Sequence, residues 1–110
     1  MTSCRAGDVV LIAFPFTGGQ QAKNRPALVI LDEGDADLLV ARITSRPGHS
    51  ASDVTLSEWK AAGLLVPSVA RIGKMATLEK TMVRRKLGSL QAADRKLVAA
   101  AARAILAEWS

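Results

Sequence analysis

The sequence predicts a mainly β protein that closes on one helix: a small, curved antiparallel sheet or barrel carrying a C-terminal helix. Three observations predict it. Short runs rich in Val, Ile and Leu, bounded by Gly, Pro and Asp, fill the first two-thirds of the chain. The period then changes, and from Gln91 an Ala-rich stretch repeats its apolar residues at helical spacing. The 110 residues, 49% of them hydrophobic, suit one compact domain over 1–110 with a real core.

Each element has its own signal. Asp8 to Phe16, "DVVLIAFPF", is a nearly continuous apolar run and reads as a buried strand, with Pro15 at its end or edge because proline cannot donate to a ladder. A glycine-led loop from Thr17 to Asn24 follows. Pro26 to Leu31 is the second strand and Leu38 to Ser45 the third, joined by "DEGDAD", a turn built on Asp and Gly chemistry. Asp53 to Leu56 is a short fourth strand. Ser57 to Gly63 reads as one helical turn, capped by Ser57 and stopped by Gly63. Pro67 to Met75 is a fifth strand, weakened by Gly73. The last helix runs from Gln91 to Trp109 with a stripe of Leu97, Val98, Ala101, Ile105 and Trp109, and Gln91 with Asp94 makes a weak capping box.

Composition narrows the function classes. One Cys (Cys4) and one His (His49) exclude a disulfide framework and a zinc set within the chain. The acidic turn Asp32, Glu33, Asp35, Asp37 lacks calcium-loop spacing and reads as a solvated hairpin turn. No phosphate loop follows Gly18-Gly19. No cofactor is implied. No apolar run reaches the length of a membrane span, and "MTSCRAGD" has no signal-peptide core, so a reducing cytoplasm is the expected compartment.

The net charge is +5 and the pI is about 10.0. That excess is concentrated. Arg71, Lys74, Lys80, Arg84, Arg85 and Lys86 lie in one segment opposed only by Glu79. Such a cluster is either a solvated rim or a face for an anion, nucleic acid first among the candidates. Arg25 is sharper. It precedes Pro26, which biases its backbone to extended geometry at the mouth of a strand, and a guanidinium held there can fork onto two phosphate oxygens. Thr44 and Ser45 end another strand and supply two hydroxyls, each of which can equally bond its own backbone in a turn. His49 has a pKa class suited to proton transfer, although a lone loop histidine is more often simply exposed.

Here the residues resemble a family. "GDVVLIAFPFTGGQQAKNRPALVI", "ARITS" and "GLLVPSVARIGKMATLEKTMVRRKLGSL" are similar to the MazF/PemK toxins of toxin–antitoxin pairs, over nearly the whole chain. The resemblance implies an SH3-like small barrel with helices appended, a homodimer, and a metal-independent, sequence-specific endoribonuclease acting on single-stranded RNA. It places Arg25 and Thr44 in catalytic roles. Lys23, Ser45, His49, Arg71, Lys74, Arg84 and Arg85 are then substrate-binding candidates. Arg71 matches a basic residue that some relatives use beside an aspartate, but the aspartate position holds Gly73 here, so no carboxylate base is expected there. The implied partners are mRNA and a cognate antitoxin with a disordered acidic segment. A non-catalytic module of the same fold, such as a gyrase poison or a degenerate toxin, is the alternative, and a structural domain with a basic rim is the third reading.

Overall fold

The computed structural model describes residues 4–14, 23–46 and 50–110. Six strands form one antiparallel sheet: β1 (Asp8–Phe14), β2 (Lys23–Leu31), β3 (Asp37–Thr44), β4 (Asp53–Thr55), β5 (Val69–Glu79) and β6 (Val83–Ser89). A 3₁₀ turn at Lys80–Met82 joins β5 to β6, and helix α1 (Ala92–Leu106) ends in a second 3₁₀ turn at Ala107–Trp109. The order across the sheet is β4-β5-β3-β2-β1-β6, so β4 and β6 end a sheet that is curved and unclosed. Register shifts in the β1–β6, β2–β3 and β3–β5 ladders supply local twist and bend. Among the described residues, no helix is long and apolar enough to cross a membrane.

Alternation along the strands gives the sheet two apolar faces. Val9, Leu28, Ala41, Ile43, Val54, Ala70 and Ile72 form one cluster, covered by Val98, Ala101 and Ala102 of α1 and by Leu56, Ala62 and Leu64. Val10, Ile12, Ala27, Val29, Leu38 and Val40 form the other, with Cys4, Leu78, Met82 and Val83 packed over it. Burial pushes the Cys4 thiol pKa above its ordinary range, with the nearby Asp32 and Asp8 adding to the effect.

Several expectations need correction. Five strands were expected, and β6 makes six. Its sequence, "VRRKLGS", has no apolar alternation because it is an end strand with β1 as its one ladder partner, and sheet edges favour charge. β5 runs on to Glu79, well past Gly73. The strand carrying Arg25 starts at Lys23, so Arg25 lies within β2, opposite Ile12, and not at its mouth. Pro26 is accommodated because the ladder to β3 begins only at Ala27.

The helix also packs differently. Leu97, Ile105 and Trp109 of the expected stripe are exposed, while Val98 and Ala101 face the core together with Ala102, off the stripe. Gln91 makes no side-chain cap. Asp94 instead reaches across to the Ser57–Gly63 segment, which is a run of hydrogen-bonded turns. Its carboxylate accepts from the Ser57 N–H (3.1 Å), the Ser57 hydroxyl (2.9 Å) and the Glu58 N–H (2.9 Å). Ser57 therefore donates to a distant carboxylate and does not cap its own turn.

The hairpin turn is as expected: Asp32 Oδ1 accepts from Gly34 N–H and Asp35 Oδ1 from Asp37 N–H. Pro15, the Thr17–Gly19 part of the glycine loop, Gln20 to Ala22 and His49 fall outside the described residues.

Candidate active site

β2, β3 and β6 bring their residues to one cleft of about 460 Å³. Asn24, Arg25 and Pro26 come from β2, Ile43 and Thr44 from β3, Ser45 and Arg46 from the segment after it, and Arg85 from β6. The segment from Gly63 to Ser68 forms the opposite wall. The cleft thus lies where two central strands end and is walled by a loop, a common arrangement for binding sites on a rigid scaffold.

The wall is fixed from below. Gly63 has φ of +90°, and a Cβ there would run into the Leu87 carbonyl oxygen. Gly88 likewise lies against the Ala62 carbonyl, so two glycines let the turn's backbone rest directly on β6. Ser68, buried, donates its hydroxyl to the Val66 carbonyl at 2.8 Å. The chain between is left outward, with Leu65 93% exposed at the rim beside the half-exposed Val66. Two adjacent apolar side chains thus stand at the rim of the cleft.

Inside, the chemistry is cationic. Arg25, Arg46 and Arg85 line the cleft, with no carboxylate or imidazole among the described lining residues. Arg25 is half-buried, and its Nε is enclosed by protein. Thr44 Oγ1 accepts the Arg46 backbone N–H at 3.2 Å. The turn role and the site role of Thr44 are thus compatible: the accepted bond orients the hydroxyl and leaves its proton to donate into the cleft. Among the described residues, no group of three His, Cys, Asp or Glu side chains is placed to hold a metal ion.

The sequence-predicted residues divide. Arg25, Thr44, Ser45 and Arg85 all line the cleft; by register Arg25 and Thr44 come to it from the face of the sheet away from the helix, and Arg85, opposite Leu11, from the helix side. Lys23, at the start of β2, Arg71 and Lys74, on β5, and Arg84, on β6, lie outside its lining. Sequence reasoning missed Arg46, Asn24 and Leu65. Arg46 had a weak signal, since it directly follows the Thr-Ser pair.

The basic segment is divided in the same way. Arg71 Nε donates to Asp53 Oδ1 (3.3 Å), Lys80 pairs with Asp32 (2.8 Å), and Lys86 pairs with Asp8 (3.3 Å). Lys74, Arg84 and Arg85 have no such partner among the described residues. Burial works to raise the Asp8 pKa, but the Arg5 N–H, the Ser89 hydroxyl and Lys86 outweigh it and hold the carboxyl below its ordinary value. The Lys80 ammonium, with the Gly34 N–H, likewise lowers Asp32. The expectation that no carboxylate stands beside Arg71 is corrected by Asp53, which β4 supplies from the neighbouring position.

With this geometry in place, comparison with known proteins is informative. The family model for PemK-like, MazF-like toxins of type II toxin–antitoxin systems matches residues 5–106. No curated protein matches the chain. Among solved structures, MazF from Deinococcus radiodurans superposes with a TM-score of 0.74 at 25% identity, over 97% of this chain and 99% of that one. An endoribonuclease from a mycobacterial species gives 0.75 at 17% identity, over 97% and 94%. A mycobacterial endoribonuclease in complex with its cognate antitoxin gives 0.74 at 18%, over 96% of both chains.

Proposed function

The chain belongs to the PemK-like, MazF-like toxins of type II toxin–antitoxin systems, and from that premise we propose that it is a metal-independent, sequence-specific endoribonuclease of the cytoplasm that cuts single-stranded RNA and so arrests translation and growth. The observation that carries the reading is the convergence of Arg25, Thr44, Ser45 and Arg85 on one cleft.

RNA brings its own nucleophile, the 2′-hydroxyl beside the scissile phosphate. The protein must place that oxygen in line, stabilise the extra charge on phosphorus and let the 5′-oxygen leave. Arg25 faces the developing charge, the largest contribution in a site of this kind. Arg85 and Arg46 hold the strand by its phosphates. Thr44 donates to a phosphate oxygen or to the 2′-hydroxyl while the Arg46 N–H holds its oxygen in place. Leu65 and Val66 offer an apolar rest for a base. The products are a 2′,3′-cyclic phosphate and a 5′-hydroxyl. The partners that follow are mRNA, a second copy of the chain, and an antitoxin whose acidic segment competes for the same arginines.

Incubation with single-stranded RNA in EDTA tests the reading, followed by sequencing of the new 5′ ends. Cleavage is expected with wild type and is abolished in Arg25→Ala, which keeps its fold. Thr44→Ala turns over far more slowly, and Arg25→Lys does not restore the rate because an ammonium cannot fork onto phosphate. Near-native cleavage by Arg25→Ala would remove that residue from its role. One observation favours a second reading: the described lining holds three arginines and no proton acceptor. RNA that is bound tightly but stays intact identifies a non-catalytic module of this fold. Light scattering reads the assembly, and a mass near 11.6 kDa at micromolar concentration counts against a dimer.

A further inference from the structure

One row of the sheet next to the cleft is electrostatically odd. The β3–β5 ladder sets Arg42 directly opposite Arg71, and like charges facing each other across strands are unfavourable. Both point away from the helix. Their neighbours Ala41, Ile43, Ala70 and Ile72 are buried in the helix-side cluster, so alternation puts Arg42 and Arg71 on the opposite face. Thr44 lies on that face too, two residues along β3 from Arg42. Arg25 joins it from β2, paired with Ile12 of the same face.

One carboxylate stands beside the pair, on Arg71. Asp53, opposite Arg71 on β4, accepts from its Nε, and its other oxygen accepts the Ser50 N–H at 3.4 Å. Arg71 is thereby aimed through Nε alone, which leaves both terminal nitrogens to donate elsewhere. Arg42 is exposed and has no carboxylate partner among the described residues. Two guanidinium groups against one anion leave a net positive charge beside the cleft. We infer that Arg42 and Arg71 seat a second backbone phosphate of a single-stranded nucleic acid, one pleat away from Arg25 and Thr44. Two residues of strand span about 6.8 Å, a step that one nucleotide of extended backbone covers. The inference rests on the reading of the chain as an RNA-cutting toxin and extends its substrate path across β3 and β5.

Salt dependence tests it, because each phosphate contact adds about 0.7 to the slope of log K against log salt for a single strand. The probes are an oligodeoxythymidylate, which has no 2′-hydroxyl to react, and a randomised single-stranded RNA pool for cleavage. Arg42→Gln is expected to lower the slope by about 0.7 and to weaken binding about fivefold at 0.1 M salt. Arg42→Lys keeps the slope, since it keeps the charge. Lys96→Gln, on α1, changes neither. Arg42 is exposed, so these variants keep the fold, and Arg42→Gln melts no lower than wild type because it removes the like-charge pair with Arg71. An Arg42→Gln slope equal to wild type overturns the inference while leaving the nuclease reading intact. A wild type that binds the deoxy strand with the Arg42-dependent slope but cuts no RNA removes the nuclease reading and keeps the phosphate seat. A wild type that binds no single strand removes both.

Discussion

Replacing Asp94 with Ala should cost this protein much of its stability, and the size of the loss follows from the contacts of one carboxylate. Asp94 is fully buried in the first turn of α1 and accepts three hydrogen bonds from Ser57 and Glu58. Bonds to a charged acceptor contribute about 1.5–3 kcal/mol each, and a donor left without a partner costs about 1–3 kcal/mol. The Ser57 hydroxyl can turn to water, so two backbone N–H groups dominate. They lie on exposed residues, which places each near the low end. A further 0.3–1 kcal/mol, roughly, is lost with the negative charge at the helix N-terminus. The total is about 3–4 kcal/mol, or a fall in Tm of about 12–16 °C at about 4 °C per kcal/mol. Urea titration followed by circular dichroism measures it. Asp94→Asn should fare little better, because its NH₂ would face one of the same N–H donors. A loss below about 1 kcal/mol in Asp94→Ala would refute the reasoning, since even one orphaned N–H is expected to exceed that.

Three more outcomes follow from the same geometry. Gly63→Ala combines a left-handed backbone, about 1–2 kcal/mol for alanine, with a clash against the Leu87 carbonyl; it should lower the Tm by more than about 8 °C, and a wild-type melting curve would disprove the close approach. Asp8 has a folded pKa below its ordinary 3.8, so its contribution is complete above that value and is lost as pH falls through the lower folded one; urea midpoints from about pH 5 down to about pH 2.5 should fall less steeply in Asp8→Asn than in wild type, and parallel curves would show that the carboxylate is not the linked group. Charge reversal at Arg85, in the cleft, should weaken RNA binding more than reversal at Arg84, outside its lining, with equal effects in a salt-matched titration counting against the cleft as the binding surface.

How much of this was legible depends on where each signal lives. β1 and β3 declare themselves by apolar runs, and the turn between β2 and β3 by its Asp and Gly residues, because burial and turn chemistry act on neighbouring positions. β6 was illegible for the opposite reason: an end strand is selected for charge, so "VRRKLGS" resembles a solvated rim. The α1 stripe was misjudged by about one helical step, since period alone does not say which side meets the sheet; the placement of Asp94 over Ser57 and Glu58 does. Arg25 stands out by its place before Pro26 and Thr44 by its place at a strand end; the family resemblance alone gives them catalytic roles, and both line one cleft.

The carboxylate beside Arg71 shows where sequence reading stops. A glycine at position 73 suggested a missing acid. In the fold, β5 slips its register between Arg71 and Met75. Gly73 lies against Ser52, whose Oγ would sit 2.6 Å from a Cβ at that position. Ser52 in turn bonds Ser50, and Ser50 donates its N–H to Asp53. The absent side chain at Gly73 and the Asp53 carboxylate on Arg71 are therefore two ends of one connected arrangement: the space that an aspartate would have filled is taken by the segment that delivers another. No local pattern encodes that exchange, because Asp53 and Arg71 are 18 residues apart and meet only through the β4–β5 register.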